Sequence, residues 1–405
     1  MTAAPLRAPQ ARVLQQARSA ARPASAPSAR VLRGGLSFAS DFIVSDTNLR
    51  VSALLRDLAA VQKSQQSRWG YRRAAAAILA LDEPLESLLQ PDGTLRKIPN
   101  VGPSSTRVIL EVLQTGRSAT VEQAVEESAQ AGDIARSREM RGNFLSRAQV
   151  AAAIGNETLR GPRLEEYRGD LQMHSDYSDG RTTLGELAEG CIARGYTYCA
   201  VTDHAYGLPI AHGVSMSDLK RQHREINALN RSYKKRFRML KGIEANILAD
   251  GSLDMQPAEL RLLDVVVAAP HSRLRASEDQ TARMTTVVAT RGVHILGHPR
   301  GRKFGAREGV KAKWDKVFAA AARHGVAIEI DGDPSRQDVD FDLARQALRA
   351  GCLFALDSDA HSVGELAYVE TAIAHARLAG IPPRRIVNCW ELDQLREWLA
   401  VAWER

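Results

Sequence analysis

Several features are scarce in this 405-residue chain, and each scarcity excludes something. It has four cysteines, Cys191, Cys199, Cys352 and Cys389, scattered and without a CxxC pair. That argues against a disulfide framework or a thiolate zinc site and fits a reducing, cytoplasmic setting. No stretch approaches the roughly 18 uninterrupted apolar residues of a membrane span, so no membrane association is expected. There is no exact internal repeat. Residues 1–40 lack acidic residues entirely but carry Arg7, Arg12, Arg18, Arg22, Arg30 and Arg33. Of the net charge of +8, +6 therefore sits in this segment, and +2 is left for everything after it. An Arg- and Ala-rich, acid-poor start has the composition of an organellar transit peptide. Pro and Gln interrupt it, however, and no small-residue cleavage pattern stands out. Residues 1–45 are expected to be a disordered basic tail, able to touch DNA phosphates without sequence preference. The nearly neutral remainder gives no charge signal for nucleic acid.

What is present is ordinary globular material, 44% hydrophobic and 25% charged, enough for two or three domains. Leu49, Leu54, Leu55, Leu58 and Val61 recur at helical spacing, with Asp46 or Asn48 as N-cap. A second, alanine-rich helix is expected over Tyr71–Leu81, and Pro91-Asp-Gly93 is a turn. Residues 46–117 read as a small helical domain. Residues 118–165 read as a helical linker, with helices around Val121–Ala131 and Leu145–Ile154. Gly161-Pro162 breaks the chain before the first strand. From there to about residue 395, apolar runs alternate with amphipathic helical stretches. The runs are Tyr198–Val201, Met239–Leu240, Val265–Ala269, Val293–Leu296, Val326–Ile330 and Leu353–Leu356. Repeated strand–helix units of this kind predict an α/β barrel.

Short polar clusters follow these apolar runs: Gln172-Met-His174 with Asp179, Asp203-His204, Glu244, His271, His298, Glu329-Ile-Asp331 and Asp357-Ser-Asp359-Ala-His361. They hold five of the ten histidines. Each alone is weak, since a single histidine after a strand is more often a hydrogen-bonded structural group. Together they are the imidazole and carboxylate ligands of a Zn, Mn or Fe site, delivered to the C-terminal edge of a barrel. Arg300, Arg302 and Arg336 are candidate phosphate clamps, because guanidinium matches two phosphate oxygens. His223 and His324 are expected on helices, and His212 lies near the second cluster.

Ile98-Pro-Asn-Val-Gly102-Pro-Ser-Ser-Thr-Arg-Val-Ile109 carries a helix-hairpin-helix pattern. Asn100, Gly102, Ser104, Ser105 and Arg107 are its candidate DNA-binding residues: a tight turn at a helix N-terminus presents N–H groups to a phosphate. Asn100 tolerates the left-handed region, and Gly102 allows close approach or positive φ. With the opening Leu-rich helix and Trp69-Gly-Tyr-Arg-Arg-Ala-Ala-Ala76, the segment resembles the N-terminal domain of family X DNA polymerases. Some members use a Schiff-base lysine there. Val108 holds that position here and Ser104 replaces a second lysine, so no lyase activity is expected. The connector 117–165 is too short for the polymerase core, so no polymerisation is expected.

Residues 168–389 resemble the PHP (polymerase and histidinol phosphatase) domain, through Arg168-Gly-Asp-Leu-Gln-Met-His-Ser-Asp-Tyr-Ser-Asp-Gly180, Thr202-Asp-His204, Gly242-Ile-Glu244, His271-Ser272, Leu296-Gly-His-Pro299 and Asp357-Ser-Asp-Ala-His361. The resemblance implies a distorted (β/α)7 barrel holding two to three divalent ions. His174, Glu244 and Asp359 would hold the first, with Glu244 bridging to a second completed by His271 and His298. Asp179, His204 and His361 would hold a third. Gln172 stands where many members have a histidine and would be a weak ligand. Asp203 would orient His204. The expected function is metal-dependent phosphoester hydrolysis with His204, Asp203 and Arg336 as catalytic residues, acting on DNA 3′ ends as a 3′-5′ exonuclease or 3′-phosphatase. A small-molecule phosphatase of the histidinol-phosphate or nucleotide type is the alternative. A non-catalytic DNA-binding protein is the third reading.

Overall fold

Six α-helices come first: α1 (Thr47–Val61), α2 (Gln65–Leu79), α3 (Pro103–Thr115), α4 (Ala119–Glu126), α5 (Ala131–Glu139) and α6 (Arg147–Gly155). The structure, a computed structural model, describes residues 46–404. The expected basic tail lies outside the described residues. Asp46 caps α1, its carboxylate accepting from Leu49 N at 2.9 Å. Asn48 instead clasps the chain after α2, accepting from Leu85 N and donating to Glu83 O. Helix α2 starts six residues before Tyr71 because Ser64 supplies a cap there. Helix α3 opens at Pro103 and stops at Gly116, whose φ of 75° requires glycine.

Val51, Leu55, Ile78, Val108 and Ile109 form the core of these helices, and Val121, Val125 and Ile134 of α4 and α5 join it. The expected linker therefore shares a core with the helical domain. The helix expected over Val121–Ala131 is two helices, broken where Ser128 Oγ donates to Val125 O and accepts from Gln130 N. Helix α6 begins at Arg147 rather than Leu145 because Ser146 is its cap.

The second part is one six-stranded parallel sheet in sequential order: β1 (Tyr198–Val201), β2 (Arg238–Asn246), β3 (Val265–Ala269), β4 (Ile295–Leu296), β5 (Ala327–Asp331) and β6 (Leu353–Asp357). Helices α7 (Leu184–Ala193), α8 (Met216–Tyr233), α9 (Pro257–Leu260), α10 (Thr281–Val288), α11 (Trp314–His324), α12 (Phe341–Ala350), α13 (Val369–Ala379) and α14 (Leu392–Val401) flank the strands in sequence. Strand β2 runs well beyond Met239–Leu240. Its first half pairs with β1 and its second with β3, so it turns a corner of the barrel.

Among the described residues no seventh strand forms. Residues 168–174 take its place as an irregular segment hydrogen-bonded to both sheet edges. Ala200 N and Thr202 N donate to Asp170 O and Met173 O, while Asp359 N donates to Gln172 O and His174 N to Ala360 O. The ladder is irregular because buried carboxylates take over some of its donors: Asp357 accepts from Leu171 N, and Asp170 from Gln172 N and Ser358 N.

Leu171, Tyr198, Leu240, Val267, Ile295, Ala327 and Ala355 fill the interior together with Trp390, Leu395, Trp398 and Leu399 from the C-terminal segment. That segment plugs the end where the strands begin, and Tyr198 Oη meets the Val387, Asn388 and Trp390 carbonyls. The strand C-terminal end is left for chemistry.

Candidate metal centre

Each strand ends in an imidazole or a carboxylate, and parallel order brings all of them to one edge. His204 follows β1, Glu244 lies in β2, and His271 and His298 come two residues after β3 and β4. Asp359 and His361 follow β6, while His174 and Asp179 come from the irregular segment and its loop. Gly180 lets that loop fold back: a side chain there would lie 2.4 Å from His174 O. Backbone strain concentrates here, with φ of 21° at His298 and 53° at Asp359.

Glu244 is the hub and is fully buried. Its Oε1 lies 2.8 Å from His298 Nε2 and 3.4 Å from His271 Nε2; its Oε2 lies 3.0 Å from His204 Nδ1 and 3.5 Å from His174 Nε2. His174 Nε2 also stands 3.0 Å from Asp359 Oδ1. Asp179 reaches His361 Nε2 at 3.5 Å and His204 Nε2 at 3.7 Å. Three groups each bring their ligand atoms within 4.8 Å of one another: His174–Asp179–His204–His361, His204–Glu244–His271 and His174–Glu244–Asp359. Two ligand atoms of one tetrahedral ion stand about 3.4 Å apart, given metal–ligand distances of about 2.1 Å. Several of these contacts have that spacing, and several buried atoms lack any hydrogen-bond partner: Nδ1 of His174, His271 and His298, Oε2 of Glu244 and both amide atoms of Gln172. Buried polar atoms left unsatisfied are costly, and a divalent ion would satisfy Glu244 Oε2. The donor set fits such an ion.

The electrostatics agree. Burial alone would raise the Glu244 pKa, yet the His204 and His271 charges hold it well below the usual carboxylate range. Burial also opposes ionisation of Asp179, but its hydrogen bond to His361 and the surrounding imidazoles bring it down to about 2. His361 would be lowered by burial; Asp179 and Asp359 raise it to about 9 instead.

Comparison with known proteins places this geometry. Residues 170–332 match the PHP domain and residues 46–118 a helix-hairpin-helix domain. The probable phosphatase YcdX of Shigella dysenteriae is 30% identical over 234 residues, covering 55% of this chain and 90% of that protein. The chain belongs to the PHP family. A DNA polymerase/3′-5′ exonuclease PolX from Bacillus subtilis is 35% identical over 237 residues, covering 58% of this chain and 41% of that enzyme. A histidinol phosphate phosphatase from Lactococcus lactis aligns with a TM-score of 0.40 at 18% identity, over 52% of this chain and 94% of that one.

Around the PHP centre several expected roles change. Asp203 makes no hydrogen bond to His204. Its buried carboxylate accepts from Ser175 N at 2.8 Å, Ser175 Oγ and Gln222 Nε2 at 2.5 Å, and Ser178 Oγ, so it anchors the loop carrying Asp179. Burial keeps its pKa raised. Arg300 and Arg302 are not clamps. Arg300 pairs with Asp338 and Asp340 at 3.0 and 2.6 Å, and Arg302 donates to the Gly142, Asn143 and Gln337 carbonyls. Arg336 does reach the centre, contacting Asp359 and lying 3.4 Å from Asp331. His212 is exposed and belongs to none of the three ligand groups, and His223 packs partly buried on α8.

Three supporting residues were assigned no role from the sequence, although Glu329 stood in one of its polar clusters. Glu329 of β5 accepts from His298 N and so sets that backbone. Gln222 interrupts the buried stripe Leu219, Gln222, Ile226 and Asn230 of α8, and a polar residue at a core position was the available signal. Arg283 donates to Ile247 O, Leu248 O and Ser272 O, tying the loops after β2 and β3 together.

At the hairpin, Asn100 adopts φ 64°, whereas Gly102 has φ −94° and needs no left-handed freedom. Asn100, Gly102, Ser104 and Arg107 are exposed. Ser105 is buried and cannot present its hydroxyl to a ligand. Val108 is likewise in the core. A surface groove of about 690 Å³ runs beside this turn, lined by Arg96, Lys97, Thr106 and Arg107 among others.

Proposed function

We propose that the chain hydrolyses phosphoester bonds at this centre, at DNA 3′ ends, as a 3′-5′ exonuclease or 3′-phosphatase. The observation that carries the hydrolytic reading is the convergence of four imidazoles on the buried Glu244, with Asp359 beside His174 and several of these polar atoms unpartnered. His174, Glu244 and Asp359 would hold one ion. Glu244, His271 and His298 would hold a second, with Asp179, His204 and His361 around a third. Gln172 would be a neutral, weak ligand. Zn, Mn and Fe all suit imidazole–carboxylate sets. Such ions, when bound, supply positive charge and a water nucleophile at neutral pH.

The chain's own residues do the rest. Asp203 holds the Ser175–Asp179 loop in place through four donors. Arg336 keeps Asp359 ionised against the cost of burial and offers its partly exposed guanidinium to a phosphoryl oxygen. The plug of Trp390 and Trp398 below the sheet closes the far end to water.

The DNA end is supported by the helix-hairpin-helix match on the same chain and by the 35% identity to a polymerase/3′-5′ exonuclease. A small phosphoester is the second reading, favoured by the probable phosphatase that the chain covers over 90% of its length. Full-length protein with Mn, assayed on a 3′-recessed duplex, a 3′-phosphorylated duplex and small phosphomonoesters, separates the two. His298→Ala should abolish all metal-dependent turnover while the fold survives. Undiminished turnover would sink the metal assignment, and turnover confined to the small esters would sink the DNA reading.

A further inference from the structure

Arg336 sits on a strap, residues 332–338, that leaves β5 and folds back. Asp331 and Asp338 pair through both backbone groups, with N···O distances of 2.6 and 3.2 Å. One face of the strap serves the centre, where Arg336 contacts Asp359. The next residue, Gln337, points the other way and is buried to 1% exposure. It adopts φ 46°, in the left-handed region that residues other than glycine rarely enter. Its amide is fully used. Oε1 accepts from Leu145 N at 2.8 Å and Nε2 donates to Leu145 O at 3.0 Å, so the side chain imitates a paired backbone strand. Oε1 also accepts from His375 Nε2 at 2.8 Å.

The segment that Gln337 grasps is itself locked. Arg302 lies 3.9 Å over the Phe144 ring and donates to the Gly142 carbonyl at 3.0 Å and, on the strap side, to the Gln337 carbonyl at 2.7 Å. Phe144 stacks edge-on against Phe304 at 4.9 Å. Upstream, Arg141 pairs at 2.7 Å with the buried Asp57 of α1. A continuous chain of buried polar and aromatic contacts therefore runs from α1 through residues 141–145 to the strap.

We infer that Gln337 is a positioning residue that seats residues 142–145 against the strap and thereby sets Arg336 against the metal centre. On this account the connector forms the back wall of the site instead of a spacer. The inference rests on the role proposed above for Arg336. Gln337 touches no candidate ligand; it acts only through its neighbour.

The test is a double-mutant cycle in the full-length protein, with bis(p-nitrophenyl) phosphate and Mn as probe. Arg336→Ala measures the role of Arg336 by itself. Gln337→Met keeps length and volume and removes all the amide hydrogen bonds. It should lower kcat about tenfold, as misplacement of a site group does. In the Arg336→Ala background it should cost nothing further, because the group it positions is gone. Phe144→Leu loosens the same seat from the connector side and should show the same non-additivity with Arg336→Ala, which keeps the question open to measurement should Gln337→Met fold poorly. Losses that add in both cycles would overturn the inference, since a purely structural role adds. Full activity in Arg336→Ala would overturn the Arg336 role and this inference with it, leaving the metal-site reading to the His298→Ala experiment.

Discussion

His375 makes the chain's stability depend on pH in a calculable way. Its ring is fully buried on α13, where Nδ1 accepts from Phe341 N at 3.1 Å and Nε2 faces Gln337 Oε1 at 2.8 Å. An N–H already points at Nδ1, so the neutral ring carries its proton on Nε2 and has no room for a second. Burial first, then the nearby Arg302, push the pKa down to about 3, with Asp340 opposing. In the unfolded chain the same group titrates near about 6.5. The folded value is the lower of the two, so acid favours the unfolded state. The contribution is fully present above the unfolded pKa and is lost as pH falls from there toward about 3. Each pH unit in that window removes about 1.4 kcal/mol, so by pH 5 about 2 kcal/mol is gone. Urea unfolding midpoints at pH 5 to 7.5 and fixed ionic strength, for the wild type and His375→Gln, isolate this component by difference. The variant should be less stable at pH 7.5 yet show a pH slope shallower by about one proton. Identical slopes would refute the assignment of a buried neutral imidazole.

Two further perturbations test the surroundings. Asp203→Ala strands donors on Ser175, Ser178 and Gln222, at about 1–3 kcal/mol for each buried unsatisfied group. A melting-temperature drop together with weakened binding of the ion proposed at Asp179, read by metal titration, is expected, while retained metal affinity would return Asp203 to a packing role. Arg107→Glu on the exposed face of α3 should weaken DNA binding and reduce its salt slope by about one, leaving small-ester turnover untouched. Unchanged DNA affinity would remove the hairpin from the interface.

Much of the site was legible because its signal is local. A ligand-type residue one or two positions past an apolar run is a statement about a strand end, and parallel pairing then sends every such end to one edge. Among the proposed ligands His271 and His298 stand in such positions, His204, Asp359 and His361 lie three to five residues past their runs, Glu244 lies inside β2, and His174 was marked out only by its cluster and the family resemblance. Arg300 and Arg302 were misread for the opposite reason. An arginine shows its charge in sequence but not its partner, and both are consumed by Asp338, Asp340 and backbone carbonyls. Asp203 stands beside His204 in sequence, yet adjacent residues leaving a strand point to opposite sides. It therefore meets Gln222 and the 175–178 loop instead.

By itself, then, the sequence determined the elements, the kinds of donor at each strand end and the hairpin turn with Asn100 in its left-handed conformation. These depend on neighbours within a few positions, through periodicity, capping and backbone sterics. The tertiary structure alone decided that the seventh strand is an irregular segment, that α14 plugs the barrel floor, and that residues 141–145 back the strap carrying Arg336. Those outcomes depend on contacts such as Gln337 to Leu145 and Asp57 to Arg141, made between residues far apart in the chain, where no local pattern specifies the partner.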